Sequence, residues 1–478
     1  MITEPHVIIV GAGPAGLGAA FQLTRKKLAR VTVIEQCDRV GGIAGSFVIS
    51  GVHVDYGSHR LHPSCDPEIM QDIKTLLGED LLDRPRHGRI RLCGQWIHFP
   101  LKPIDLMLRL SPGFSAGVIR DIFTKTLGMN KASTPSGEET FASVLESGLG
   151  RTVCKNFYFP YTKKLWGLPP EQLSAIQARR RVSSSSLGKM FRKILMMTPV
   201  VKKNSAGRFY YPKKGFGEIS ETLYQGAMAE GGQFYLGADL KAISVNENQK
   251  TSVRFEQKGE KFNCEADFVW STIPISDLVK SAEPSPPADI IEVLNNIKYR
   301  SMILIYLVLE QSRFSEYDAH YFPELEIPIS RMSEPKNYSN TQTPRDITVL
   351  CAELPCSEGD SHWNMSDEES GNLVQECLKR AGIPVKAHIR EVITRRLRHA
   401  YPIFEPGYEK YFQMIDKWLS GWDSILSFGR QGMFVHDNIH LSLFNAYAAV
   451  DCLNDKGYFD RAKWNGYRKI FDAQVVED

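Results

Sequence analysis

Residues 6–35 read HVIIVGAGPAGLGAAFQLTRKKLARVTVIE, and the order of residue types in this stretch decides the fold. An apolar run, Val7 to Val10, leads into Gly11-Ala12-Gly13-Pro14-Ala15-Gly16. A helical pattern follows, with Leu17, Ala20 and Leu23 on one face, and then a second apolar run, Val31 to Ile34, ends in Glu35 and Gln36. This is a strand–helix–strand unit with a GxGxxG turn. Gly11 suits the tight turn out of the strand. Gly13 carries no side chain, so the backbone there can approach a pyrophosphate. Gly16 allows close packing of helix on strand. The helix start offers free N–H groups and a positive dipole end to phosphates. Glu35 lies where a carboxylate accepts hydrogen bonds from ribose hydroxyls. The turn alone does not separate NAD from FAD.

The segment after Glu35 leans towards FAD. Arg39-Val40-Gly41-Gly42-Ile43-Ala44-Gly45 places a glycine pair just beyond the acid. With it the chain resembles the FAD family whose fingerprint is GxGxxG, then Glu, then GG. That group includes amine oxidases, protoporphyrinogen oxidases and UDP-galactopyranose mutases. The fold this implies is α/β with α+β insertions: a Rossmann-like, GR2-type FAD-binding domain, an inserted helical domain and a mixed or antiparallel substrate-binding sheet domain. The expected division is 1–80 with 205–290 and 395–478 for FAD, 100–204 for the helical insertion, and 81–99 with 291–394 for the substrate sheet.

Composition sets outer limits. The chain has 478 residues, enough for two or three domains. Charged residues make up 24% and hydrophobic residues 42%, which is ordinary globular usage. A net charge of +3 over this length gives no argument for nucleic acid. No run reaches the roughly 20 apolar residues of a membrane span, and Met1 to Pro5 lacks a basic signal-peptide start. The nine cysteines are scattered and form no CxxC, which reads as reduced thiols in the cytoplasm and no metal site. Composition carries no signal for oligomeric state.

Further motifs follow in chain order. Val48 to Tyr56 reads as a hairpin that delivers Asp55-Tyr56-Gly57-Ser58-His59-Arg60-Leu61-His62. This octad resembles the YGPHIFH loop of the mutases, which passes close to the flavin ring; the resemblance puts Gly57 and Ser58 at the cofactor and His59 and His62 in catalytic positions. Arg89 to Pro100 alternates around Gly94 as a second hairpin. From Ile104 to Met197 the pattern is helical, broken by Pro112, the loop Lys131 to Gly137 and Pro169-Pro170. Tyr161-Thr162-Lys163-Lys164-Leu165-Trp166-Gly167 resembles the mutase signature YTxKQWG, and Arg180 falls where an arginine grips a diphosphate. Taken without the resemblance, the aromatic helix is core with a solvated face, and Arg179 to Arg181 form a basic helix end. Leu187 to Lys203 is basic and amphipathic; it is read as a packed helix edge in preference to a membrane-surface contact.

Phe209 to Leu223 reads strand, glycine turn, helix. Strands are expected at Gly237 to Val245, Thr251 to Glu256, Lys261 to Cys264 and Asp267 to Thr272, and the family likeness sets Leu240 against the adenine and Thr272 under the dinucleotide. Tyr299 to Glu310 is a strand whose Tyr299-Arg300-Ser301 resembles the mutase YRS motif, with Arg300 as a second diphosphate contact. Arg331, Glu334 and Lys336 match the mutase TRxxExKxF pattern, and Arg331 is taken as a substrate residue with Tyr161, Trp166, Arg180 and Arg300. Ala400-Tyr401-Pro402 resembles a PxYP step. Near the end a strand, Ile425 to Phe428, leads into Gly429-Arg430-Gln431-Gly432-Met433 and a helix, His440 to Asp451. This resembles the mutase GRxGxYxYxDM element and assigns Gly429, Arg430, Gly432 and Met433 to the cofactor. It departs at His436, where mutases carry a diphosphate-binding tyrosine, and at Asn438, where they carry Asp.

Two mechanisms are open at this stage. In the first, favoured one, FAD takes a hydride at N5 from a small polar, sugar-like or nucleotide-sugar substrate, with His59, His62 or His436 as base. In the second, a reduced flavin attacks the anomeric carbon of a nucleotide sugar, Arg180 and Arg300 hold the diphosphate, and the ring recloses without net redox change. A non-catalytic flavin-binding protein is a third reading.

Overall fold

The computed structural model describes residues 4–99, 109–126, 139–181, 207–245 and 250–476. The expected loop at Lys131 to Gly137, the amphipathic segment Leu187 to Lys203, the start of the helical region at Ile104 and the side chain of Arg181 lie outside it.

The first strand, β1 (His6–Val10), is wholly buried, and so is every residue but Arg30 of the second, β2 (Arg30–Glu35). They pair in parallel at the centre of a five-stranded sheet. Phe268–Ser271 and Ile425–Ser427 extend the sheet on the β1 side, and Gln233–Leu236 extends it beside β2, all parallel. Strands buried on both faces need unbroken apolar runs, which explains the lack of alternation in VIIV and VTVI. Between β1 and β2 runs helix α1 (Pro14–Arg25), with Pro14 in its first turn and Ala15 through Thr24 buried. It lies between the sheet and two further helices, Glu218–Ala229 and Ile439–Asp451. Gly18 makes that possible: a β-carbon there would stand 2.8 Å from Leu443.

Two mixed, mainly antiparallel sheets, each with one parallel pair, complete the frame. One has four strands in the order Glu260–Ala266, Thr251–Gln257, Ala238–Val245, Ala282–Glu283. Seven strands form the other, running Ile389–Ile403, Lys298–Leu309, Thr348–Cys356, Arg331–Ser333, Ala319–Tyr321, Gly88–Leu92, Gln95–Phe99. In Lys298–Leu309 every residue from Ser301 on is buried, as both faces are covered. The expected hairpins appear as Ser46–Ile49 with Val52–Asp55 and as Gly88–Leu92 with Gln95–Phe99.

Three expectations need correction. The strand Ile389–Ile403 is continuous, so the expected division at residue 395 would cut a single strand of the seven-stranded sheet. Leu81–Pro85, placed with that sheet, pairs instead with Arg208–Pro212. The strand Gln233–Leu236 was not expected at all: Gly237, at φ +68°, turns the chain out of it directly into Ala238–Val245, so the two read as one run.

Candidate active site

The three glycines of the first turn behave differently, and the difference identifies what the turn is for. Gly11 has φ +104°, and a β-carbon there would lie 2.5 Å from the Thr272 hydroxyl. On Gly16 it would lie 1.9 Å from the Gly11 carbonyl oxygen. Both glycines are required by the packing of the protein itself. Gly13 is not: its φ is −76°, an ordinary value, and a β-carbon would meet nothing within 4 Å. The space before Gly13, at the start of α1, is open to something outside the chain. Gly42, at φ +54°, comes within 3.4 Å of the Gly13 α-carbon by the same measure. From the other side Gly429 (φ +78°) approaches Ala15 so closely that a β-carbon would stand 2.6 Å from that side chain. The first turn, the glycine pair and the Gly-Arg turn thus close on one spot.

Their partners hold them. Glu35 is buried and accepts hydrogen bonds from the backbone N–H groups of Ala12 (2.7 Å) and Cys37 (2.9 Å). Gln36 beside it is exposed. Thr272 donates its hydroxyl to Val10 O at 3.1 Å, under the turn. Gly237 N–H donates to Cys37 O, which brings the half-buried Leu240 strand alongside Glu35. Gly432 packs on Ser427 and Ser271, and Met433 is buried in the core. The Arg430 guanidinium donates to the carbonyls of Asp437 and Ala400 and lies over the Tyr401 ring.

The loop that follows the first hairpin is clamped from below. Asp55 is buried and accepts from Ser46, Tyr211 and the Phe216 N–H. Burial pushes its carboxyl up, and these three donors pull it back. Gly57, at φ +96°, sits under the Glu353 carboxylate, and Ser58 N–H donates to that carboxylate at 2.8 Å. Glu353 in turn takes two bonds from Arg331, Nε at 3.0 Å and Nη2 at 2.9 Å. Against burial, which lowers it, Glu353 and the phenols of Tyr321, Tyr401 and Tyr161 push the Arg331 guanidinium well up. His59 is half-buried, stacks on Phe216 at 5.4 Å and meets Tyr56 O through Nε2 at 2.8 Å. Burial pushes its imidazole down, so it is neutral near pH 7.

Around Arg331 the structure gathers an aromatic wall. Tyr401 and His436 have ring centroids 4.8 Å apart, and Trp166 lies 6.3 Å from His436 and 6.5 Å from Tyr401. Tyr161, on the same helix as Trp166 (Phe159–Trp166), is an electrostatic neighbour of Arg331, and burial pushes its phenol up. Arg300 packs its guanidinium on Gly167, just past Trp166, and donates to the Ser357 hydroxyl and to Pro355 O. Of the residues expected from sequence, His59, His436, Tyr161, Trp166, Arg300 and Arg331 are brought into this one region.

Others are not. His62 bonds Ser64 through Nδ1 at 2.6 Å and faces His440 at 6.1 Å, beside the helix Ile439–Asp451. The expected arginine clamp is divided: Arg179 pairs with Glu139 and Arg180 with Asp472 at 2.9 Å. Glu353 and Tyr321 were missed. A lone acid inside the apolar strand TVLCAELPC is the signal for Glu353, because a buried carboxylate needs a partner.

The sequence pattern of the flavin containing amine oxidoreductase family matches residues 14–415. The chain belongs to that family. FAD is therefore its cofactor, and the open space at Gly13, edged by Gly42 and Gly429, fits a pyrophosphate. Phytoene dehydrogenase of Streptomyces griseus is 40% identical over 79 residues, 16% of this chain and only 15% of that enzyme's length. The 1-hydroxycarotenoid 3,4-desaturase of Flavobacterium sp. (strain P99-3) is 23% identical over 422 residues, 79% of this chain and 82% of that one. Among solved structures, reduced UDP-galactopyranose mutase superposes with a TM-score of 0.80 over 99% of this chain and 100% of that chain, at 20% identity. That last likeness is one of fold. Among the described residues no helix is long and apolar enough to cross a membrane.

Proposed function

We propose that this flavoprotein oxidises a small polar, sugar-like substrate held against Trp166, Tyr401 and His436. The observation that carries the reading is the state of the arginines. Arg331 is neutralised by Glu353 and Arg180 by Asp472. A site prepared for a diphosphate keeps its guanidinium groups for the phosphate oxygens; here the wall is made of rings, and Arg331 and Arg180 each already hold a carboxylate.

Bound FAD supplies the hydride acceptor, at N5 of the flavin. The chain's own groups do the rest. The rings of Trp166, Tyr401 and His436 cover an apolar ring face and exclude water. Tyr56 O can only accept, so neutral His59 carries its proton on Nε2 and keeps Nδ1 as the base. Loss of hydride from a substrate carbon and of the hydroxyl proton to His59 gives a carbonyl product. The first-turn glycines, Glu35, Gly57, Ser58, Leu240, Thr272 and the Gly429–Met433 turn form the cofactor cradle in this reading. Nine free cysteines support a reducing compartment, the cytoplasm.

A second reading has a specific observation behind it. Arg300 bonds only a hydroxyl and a carbonyl, beside Trp166, and so has charge to give a nucleotide-sugar diphosphate, as in a mutase. Titration with UDP while following the flavin absorbance bands separates the two. No saturable change, with flavin bound, is the expected result. A saturable change abolished by Arg300→Ala or Arg180→Ala would replace the oxidase reading with the nucleotide-sugar one.

A further inference from the structure

Lys164 is buried, with 8% of its surface exposed, and all four of its hydrogen-bond acceptors are main-chain carbonyls. Its ammonium donates to Phe322 O, to Glu324 O at 2.7 Å, to Ile327 O at 2.6 Å and to Ile329 O at 3.2 Å. An ammonium has three hydrogens, so the bonds are shared around the ring of oxygens. Those oxygens belong to one loop, residues 322–330, which joins the antiparallel strands Ala319–Tyr321 and Arg331–Ser333. In that pairing Tyr321 and Arg331 stand opposite each other at the mouth of the loop. Lys164 itself lies on Phe159–Trp166, three residues after Tyr161 and two before Trp166. That helix follows directly on a π-helical turn, Cys154–Tyr158, a local irregularity of the kind found at functional sites.

We propose that Lys164 is a positioning residue: by filling the carbonyl ring of the 322–330 loop, its ammonium fixes the helix bearing Tyr161 and Trp166 against the hairpin bearing Tyr321 and Arg331, and so sets the width of the substrate site. This rests on the reading that the site lies between those two walls. A hydrophobic residue of the same length fills the space and takes the donor from the buried carbonyls of Phe322 and Ile327, while Glu324 O keeps the Ile327 N–H and Ile329 O keeps the Cys377 thiol. The burial of those two carbonyls makes the loss local to the two walls, since an unpaired buried polar group relaxes by moving towards water.

The test uses the FAD-loaded protein and three variants, Lys164→Met, Lys164→Arg and Trp166→Phe. Amide hydrogen exchange in peptides covering 159–166 and 322–330 is expected to speed up about tenfold or more in Lys164→Met, with residues 6–35 unchanged. The visible circular dichroism of the bound flavin is expected to change with it and to be largely restored in Lys164→Arg. Unchanged exchange in both segments, or a rise spread evenly along the chain, overturns the proposal. So does an unaltered flavin signal in Lys164→Met when Trp166→Phe alters it. If Trp166→Phe leaves the flavin signal untouched, the placement of the substrate site fails, and the exchange data alone still decide the anchor. Should Lys164→Met not accumulate, Lys164→Gln, a shorter neutral donor, is expected to show a smaller rise in the same two segments, and no rise overturns the proposal.

Discussion

Gly13 and Gly16 lie three residues apart and make opposite predictions. A side chain on Gly16 collides with the Gly11 carbonyl, inside the protein's own packing. Gly16→Val is expected to destabilise the fold by at least the roughly 1–3 kcal/mol typical of overpacking, read as a lowered denaturation midpoint with or without FAD. A β-carbon on Gly13 meets nothing within 4 Å. Gly13→Val is expected to leave the apoprotein's midpoint within about 0.5 kcal/mol of the original and to abolish flavin binding, read as the flavin content of the purified protein. Normal flavin content in Gly13→Val would remove the cradle assignment. His440 carries a prediction about acid. It is buried, its Nδ1 has no partner, and burial with the neighbouring His62 pushes it down to about 4. The unfolded chain takes up that proton near pH 6.5 and the native one only near 4, so stability rises with pH between the two. Acidification from pH 7 to pH 4 is expected to cost of the order of 3 kcal/mol through this residue, and His440→Leu to flatten that part of the profile in denaturant titrations.

At the scale of elements the strand Thr348–Cys356 is joined to its neighbour by charge as well as by its ladder. Glu353 ties Arg331 on the adjacent strand to the backbone of the Gly57–Ser58 loop. Glu353→Ala leaves a buried cation and an unpaired N–H, and is expected to cost about 3–5 kcal/mol. Arg331→Met with Glu353→Leu is expected to recover most of that in urea unfolding, while the loop loses its register. Which elements were readable depended on how each announces itself. The strands β1 and β2 and the glycine turns are local patterns, and they stood where the sequence put them. Gln233–Leu236 was hidden because one glycine separates it from the next strand. The pairing of Arg180 with Asp472 was hidden for another reason: its partner lies 292 residues away on a helix with no motif. Arg179 to Arg181 look alike in the sequence, yet Arg179 and Arg180 are claimed by different carboxylates, and only the folded chain decides that.

For the molecule as a whole, the FAD half is assembled from distant parts. Its sheet takes strands from 6–35, from 233–271 and from 425–427. The Gly429 turn, which closes on Ala15, comes last of all. A chain ending at residue 420 is expected to lack the edge strand and the closing turn together, and to retain no flavin after gel filtration. The candidate site is built the same way, with the aromatic wall drawn from residues 161–166, 401 and 436 and its charged pair from 331 and 353.

That discontinuity has a consequence for how the protein is made. The first turn leaves the ribosome long before the residues that close over it. At about 5–20 residues per second, the roughly 390 residues between Glu35 and Ser427 take some 20 to 80 s to synthesise. Until residues 233–271 are made both sides of the β1–β2 pair are open, and from then until Ile425–Ser427 the Phe268–Ser271 edge stays open. Flavin capture then waits until the edge strand Ile425–Ser427 and the Gly429 turn have been made.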